Sequence, residues 1–591
     1  MGFRGRRSRF RVGTRLAQDS SYLTGVCASD VGMYLRRTQR KRGDGSVVGY
    51  LQLAHNRRVD GVTRAEVLVN LGREDELDVE GLKRLAGSID RYTGGDGGLE
   101  GVAEGFVVSD SRPLGGAWLL DGLWRQLGVA KALSGVLGAR RFSTDVERVL
   151  FALVANRCLE PASKLAAAEW ATKDASIPGL GAMDDDHAYR AMDLLVAADA
   201  QAEVQEAVFF ATADLLNLEV DLLFFDTTST YFERDEPDPV GEEEQPAFRA
   251  YGHSKDHRPD LPQVIIGLAV TREGIPVRVW VWPGNTNDMS VLAEVKDDLR
   301  GWRLGRVVTV VDRGFSAKEN LRYLTRAGGH WIAGERMRNG SAEAQAALSR
   351  PGRYQQVREN LRVKEVRVGD GEAARRFIIC HNPAEAERDQ ALRADTITRL
   401  KAELAQIAAT RAKATDDKSA EVHRRAECAL RDHRSLGRYL RQTQAGRLLI
   451  DAKKIKAEER LDGKYLLSTS DPDLSAEDVA LGYKNLLEAE RGFRDMKSTL
   501  ELRPVFHRLE HRIRAHVLIC WLGLLLIRVA ERQSGQTWRR IALELQRLQL
   551  ITLTGPDGTV EQTTPPSPLA TQILAAVKVA APPRIAAIQP A

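Results

Sequence analysis

The chain has 591 residues, 43% of them hydrophobic and 28% charged. That balance belongs to a multidomain globular protein and excludes a disordered, collagen-like or disulfide-scaffold chain. The net charge of +5 is unevenly spread: residues 1–42 hold eleven Arg or Lys against Asp19 and Asp30, giving +9, so the other 549 residues sum to −4. A basic N-terminal arm of this kind suits a polyanion whose counterions are released on binding, and equally a solvated tail. Five scattered cysteines without a C-x-x-C pair give no zinc site and predict a reducing, cytoplasmic setting. The longest apolar stretch, Val517–Ile527, is about half of a bilayer span, and no apolar segment follows the basic N-terminus. Neither a membrane anchor nor a secretory signal is expected.

Beyond the arm, residues 43–115 predict a β-hairpin, SVVGYLQLAH and TRAEVLVNLG around NRRVDGV, followed by a helix at EDELDVEGLKRL. Residues 116–217 carry apolar side chains at spacings of three and four, which predicts a mainly helical domain able to present a DNA-binding surface. From 218 to 334 the texture changes. EVDLLFFDTTS, PQVIIGLAVT, IPVRVWVW, RVVTVVDRG and HWIAG are short β-branched and aromatic runs, with helices at about 289–300 and 316–327. Gly274–Ile275 marks a hairpin between two of them. The order β-β-β-α-β-α-β makes this segment α/β, a mixed five-stranded sheet with flanking helices. DEPDPVGEEE at 235–244 reads as a solvated acidic loop.

Residues 335–462 form an insertion: two strand-like segments, then a charged helical stretch at 384–445, broken by KATDDKS into a hairpin. Residues 463–535 return to the core with the strand GKYLLSTS, one helix over SAEDVALGYKNLLEAERGFRDMK and an apolar helix at about 507–531. A C-terminal helix and a Pro/Ala-rich tail, predicted to be poorly ordered, fill 536–591.

Two aspartates end apolar strands, Asp226 after DLLFF and Asp312 after VVTVV. Singly each is a common turn or cap residue. On adjacent strands they become two like charges side by side, whose usual relief is a divalent cation. Tyr483, Glu490 and Lys497 are spaced by seven, which puts a phenol, a carboxylate and an ammonium on one face of a helix. Three carboxylates, Asp226, Asp312 and Glu490, suit two Mg²⁺ ions about 3.5–4 Å apart, one activating a nucleophile and one stabilising a leaving oxygen in phosphoryl transfer. Lys497 would hold the phosphate.

With these motifs the chain resembles the DDE transposases of bacterial insertion sequences, in particular the insertion-sequence-four group and its large-transposase branch. The family's third motif is Y-x2-R-x3-E-x6-K. Tyr483, Glu490 and Lys497 match it, whereas Leu486 stands at the Arg position, with Arg494 or Arg491 as substitutes for its charge. FFDTTSTYF and VVDRGF, with Arg313 after Asp312, match the first two motifs; YGHSKDHRPDLPQVIIGLAVTREGIPV and WPGNTND extend the likeness, which covers about 220–530. The resemblance implies an RNase H-like core interrupted before its last helix. It also implies Asp226, Asp312 and Glu490 as catalytic and metal-binding residues, and Tyr483, Lys497, Arg313 and Arg494 as DNA- or phosphate-binding residues. It further implies Mg²⁺, replaceable by Mn²⁺, recognition of terminal inverted repeats, joining of a 3′-hydroxyl to target DNA, a homodimer in the synaptic complex and a nucleoid-associated bacterial protein.

Other polar residues have plainer readings. Asp288 precedes a helix as an N-cap. His253, Lys255 and Asp256 sit in a polar loop, solvated or touching DNA. His507, Arg508, His511, Arg512 and Arg514 form a basic stretch that tracks DNA or faces water. Two alternatives to a transposase stay open: an RNase H-like nuclease without strand transfer, and a DNA-binding protein with a decayed site.

Overall fold

The computed structural model of the chain describes residues 33–41, 47–59, 62–74, 77–78, 81–82, 85, 106–137, 145–196, 200–218, 221–234, 236–239, 247–302, 304, 307–371, 374–556 and 558–591. Two compact units emerge: Met1–Ser109 with Thr552–Gln562 and Pro583–Ala591, and Asp110–Ile551 with Thr563–Pro582. In the first unit, β1 (Met33–Lys41), β2 (Val47–Val59) and β3 (Val62–Arg73) form an antiparallel meander. Residues 33–41 of the expected basic arm are therefore a strand. Its backbone pairs with β2 from Met33↔His55 to Lys41↔Val47, so this stretch is held in a ladder and is not a frayed tail. Residues 1–32 of the arm, half of the helix expected after the hairpin and most of the acidic loop at 235–244 lie outside the described residues.

After β4 (Val107–Pro113) the second unit begins with six helices: α1 (Gly115–Gln126), α2 (Val129–Leu137), α3 (Val146–Leu159), α4 (Lys164–Glu169), α5 (Asp185–Val196) and α6 (Ala200–Leu216). Asp145 and Ser163 cap α3 and α4 by accepting from the N–H groups of Arg148 and Ala166. Helix α3 is buried almost all round, and its two buried arginines are met: Arg148 by Asp121 at 2.6 Å and by Glu147, Arg157 by the Glu501 carbonyl at 3.1 Å.

Next come β5 (Leu222–Tyr231), β6 (Gln263–Thr271), β7 (Pro276–Pro283), α7 (Asp288–Gly301), β8 (Val308–Val311), α8 (Lys318–Thr325) and β9 (His330–Glu335). Strand β5 is apolar on both faces because both are covered. Leu222 and Phe224 enter the core shared with the helices, while Leu223 and Phe225 enter a second core against β7 and α7. Trp280 and Trp282 of β7 donate to Asp298 (2.7 Å) and Glu294 (2.9 Å), pinning α7 to the sheet.

The insertion supplies α9 (Ala342–Ser349), β10 (Gln355–Arg358), β11 (Leu361–Val368), β12 (Arg375–His381), α10 (Pro383–Ala412), α11 (Asp417–Asp432), β13 (Leu440–Gln442), β14 (Leu448–Ile450) and α12 (Ala452–Glu459). The chain returns through β15 (Lys464–Thr469). The sheet has nine strands, ordered β10-β11-β12-β15-β9-β8-β5-β6-β7, not five. The expected five lie together at one end; β15 pairs with β9, β12 with β15, and the insertion's strands prolong the sheet because β9 would otherwise be an edge. Helices α10 and α11 form the expected charged hairpin, closed by a small core of its own around Leu400, Ile407, Leu430 and Tyr439.

Where one helix was expected there are two, α13 (Ala476–Lys484) and α14 (Leu487–Ser498). At Asn485–Leu486 the backbone tightens into i→i+3 bonds, Leu486 N–H to Tyr483 O and Ala489 N–H to Leu486 O, as the Leu486 side chain turns into the core. Helix α15 (Glu510–Ser534) is long and apolar enough to cross a bilayer, but 94% of its most apolar window is buried inside the protein. Then α16 (Trp538–Leu545), β16 (Gln549–Gly555), β17 (Gly558–Thr563), α17 (Pro568–Ala576) and β18 (Ile585–Pro590) complete the chain. The tail expected to be poorly ordered is thus structured. Pro568 starts α17 under a Ser567 cap, Ile573 and Leu574 are buried, and β18 pairs with β17 in a four-stranded sheet β18-β17-β16-β4.

Candidate active site

Strands β5 and β8 are parallel, with Phe225 opposite Val311, so the next residues, Asp226 and Asp312, end up side by side. They also share a face. Phe224 on β5 and Val310 on β8 both point into the core that contains Ala489, Phe493 and Met496 of α14, and alternation puts Asp226 and Asp312 on that same side. Glu490 is on the helix packed over this face, and Glu490 and Asp312 line one cleft of about 920 Å³. Arg313, Tyr483, Leu486 and Lys484 line it too, together with Arg336, Arg434 and Lys464 from the insertion and its return strand.

Tyr483 donates a 2.8 Å hydrogen bond to Asp312 Oδ1. Burial, and next the Asp312 carboxylate, push the phenol well above its usual range, with Glu490 adding in the same direction; the hydroxyl stays protonated and donates. On the other side, Asp226 Oδ1 accepts from the N–H of Thr227 at 2.7 Å and faces the Lys255 ammonium at 4.0 Å. Lys255 is held by Thr227, through the carbonyl at 2.7 Å and Oγ1 at 2.6 Å, in the loop that follows β5. Lys497 donates to Thr228 Oγ1 at 2.7 Å and to Asp256 Oδ1 at 2.9 Å. Burial lowers its affinity for a proton, and Arg503 and Lys255 act in the same sense, while Asp256 opposes them.

The other expected residues are less central. Arg313 is exposed at the cleft's edge, and Arg494 is exposed on α14 outside that lining. Leu486 is packed in the core, and Arg491 leans toward Glu488 and Glu531 at 4.0 and 3.8 Å. Asp256 and Arg503 escaped sequence reasoning as partners: they meet at 2.9 Å from distant segments, with no spacing to announce it.

Carboxylate oxygens from Asp226, Asp312 and Glu490 are the donor chemistry of a hard divalent cation. Asp226 and Asp312 fit such an ion by register. Among the described residues no three acidic, His or Cys side chains stand at common ligating distance.

Residues 222–526 match the family model described as a transposase DDE domain, just over half of the chain, and residues 35–100 match the N-terminal domain of IS1634 family transposases. No curated protein matches. Among solved structures, a cryo-EM structure of the piggyBac transposase synaptic complex with hairpin DNA is similar at 11% identity and a TM-score of 0.32, over 73% of this chain and 78% of that one. The chain belongs to the DDE transposases, DNA-cleaving and divalent-metal-dependent enzymes that act on DNA, with the N-terminal match of the IS1634 family.

Proposed function

We propose that this transposase binds the terminal inverted repeats of its element, cleaves at the element ends and joins the freed 3′-hydroxyl to target DNA, with Asp226, Asp312 and Glu490 as its catalytic carboxylates. The observation that carries the reading is the shared face: Asp226, which lies midway along β5 and not at its end as expected, and Asp312, just past β8, stand in parallel register under the helix of Glu490. When bound, Mg²⁺ or Mn²⁺ ions would sharpen the attacking oxygen and neutralise charge on the leaving one. Asp226, Asp312 and Glu490 would hold them.

The remaining work falls to the chain's own groups. Tyr483 fixes the Asp312 carboxylate by its hydroxyl proton, selecting which oxygen faces the cleft. Lys497, kept against Thr228 two residues beyond Asp226 on the same strand face, holds a phosphate oxygen, in keeping with an insertion-sequence-four type of helix motif. Arg313, and more weakly Arg494, contact the DNA backbone. The segment 116–217 and the insertion at 335–462 widen the DNA contact, and two copies of the chain pair the two ends.

The test is a gel assay on a labelled end duplex beside a binding assay on the same preparations. D226N, D312N and E490Q should each reduce nicking and strand transfer to background while binding persists, and double variants should be little worse than single ones. A variant that still nicks at the parent rate removes its residue from the triad. Nicking by the parent without joined product would favour a nuclease instead.

A further inference from the structure

Three cations and one carboxylate gather near Asp226 and Thr228 of β5. Lys255, Lys497 and Arg503 come from separate segments, and Asp256 sits among them. Both Asp256 oxygens are taken: Oδ1 accepts from Lys497 at 2.9 Å, and Oδ2 pairs with Arg503 at 2.9 Å as an ion pair outside hydrogen-bond alignment. The carboxylate is 11% exposed and the Lys497 side chain 15%, so neither charge is well solvated and each depends on the other. A carboxylate so engaged is not available as a fourth metal-binding acid.

We propose that Asp256 is a positioning residue that holds the Lys497 ammonium at Thr228 and keeps it from pairing with Asp226. The argument is geometric. Thr228 and Asp226 lie on the same face of β5, one side-chain repeat apart, and Lys497 ends a flexible four-carbon stem. Without Asp256 the ammonium keeps only a neutral hydroxyl as partner, while Asp226, the one carboxylate on β5, lies one side-chain repeat away. With Asp256, the ammonium is tied at two points and Arg503 is tied beside it, making a paired cationic ledge one step from the reacting centre. The ledge is the right chemistry for a phosphodiester oxygen. Asp256 therefore acts through Lys497, and this rests on the reading of Lys497 as the phosphate-side cation.

The experiment is a double-mutant cycle on single-turnover cleavage of an end duplex, using the full chain, with DNA affinity measured separately by anisotropy. D256N should slow cleavage roughly 10- to 100-fold at saturating DNA, the scale of one lost charge-assisted bond, with affinity changed by less than about twofold. D256N with K497A should be no slower than K497A alone, and D256E, which keeps the charge, should recover part of the rate. A D256N loss that multiplies on top of K497A, or a loss confined to affinity, overturns the proposal. If K497A itself cleaves like the parent, the reading of Lys497 fails instead, which separates the two ideas. Should D256N unfold on heating well before the parent, the cycle is run with D256E, whose displaced carboxylate should give a smaller loss that again vanishes in the K497A background; an independent loss there overturns the proposal equally.

Discussion

The Tyr483 hydroxyl reaches Asp312 across 171 residues of sequence, and it does so by passing directly over Gly334 of β9. A Cβ at position 334 would collide with the phenol's oxygen and ring carbon. The strand residue next to Asp312's strand is thus small because the tyrosine needs its volume.

Y483F should lower single-turnover cleavage about tenfold, less than loss of any of the three carboxylates, because it removes a bond to a ligand and not the ligand. G334A should produce a similar loss by pushing the ring aside, and the double variant should be no worse than the poorer single one. Additive losses in the same cleavage assay would separate Gly334 from the tyrosine.

Cleavage should fall to background in chelator and return with Mg²⁺ or Mn²⁺. Ca²⁺, whose larger and looser coordination departs from the compact octahedral geometry, should support end binding without nicking. Gel shift and nicking run in parallel with each ion decide this.

The fully buried Lys164 offers a pH signature. Burial first, then Arg157, bring its pKa from the ordinary 10.5 down to about 7, with His516 Nδ1 its 3.4 Å partner. Between about pH 7 and 10.5 the unfolded chain keeps a proton that the folded one has released, so this residue makes stability rise with pH over that window. Melting temperatures of K164M should rise less between pH 7 and pH 10 than those of the parent. An identical slope in both proteins would show that Lys164 stays charged in the folded state.

Deleting residues 1–32, which stops short of β1, should weaken DNA binding across sequences and shrink the slope of log affinity against log salt. An unchanged slope would leave the arm without a DNA role. Deleting to residue 42 would also remove the β1 ladder, so that truncation tests folding as well.

The end of β8 was readable because its apolar run stops at Asp312, but β5 continues past Asp226 to Tyr231, its Thr and Ser side chains pairing along β6 where the change in polarity had suggested an end. The heptad of Tyr483, Glu490 and Lys497 put all three near the same sheet face even though the helix breaks between the first two. A local break at Asn485–Leu486 depends on where one leucine finds its pocket, which periodicity does not carry. Nor does sequence spacing carry the nine-stranded sheet, whose extra pairings follow from which edge is left open. Likewise the Asp256–Lys497 contact joins residues 241 apart. Each depends on the finished tertiary arrangement.

The helical excursion of the insertion leaves and re-enters the sheet at a single point. His381 and Lys464 are cross-strand partners, and the N–H of Asn382 donates to Gly463 O at 2.7 Å across the gap. Topologically, β12 and β15 are the two arms of a hairpin whose turn has been replaced by α10, α11, β13, β14 and α12 with their own core. The ladder of β12 and β15 therefore does not depend on the excursion for its register, whereas the cleft does draw on it, since Arg434 between α11 and β13 lines the same cavity as Asp312 and Glu490.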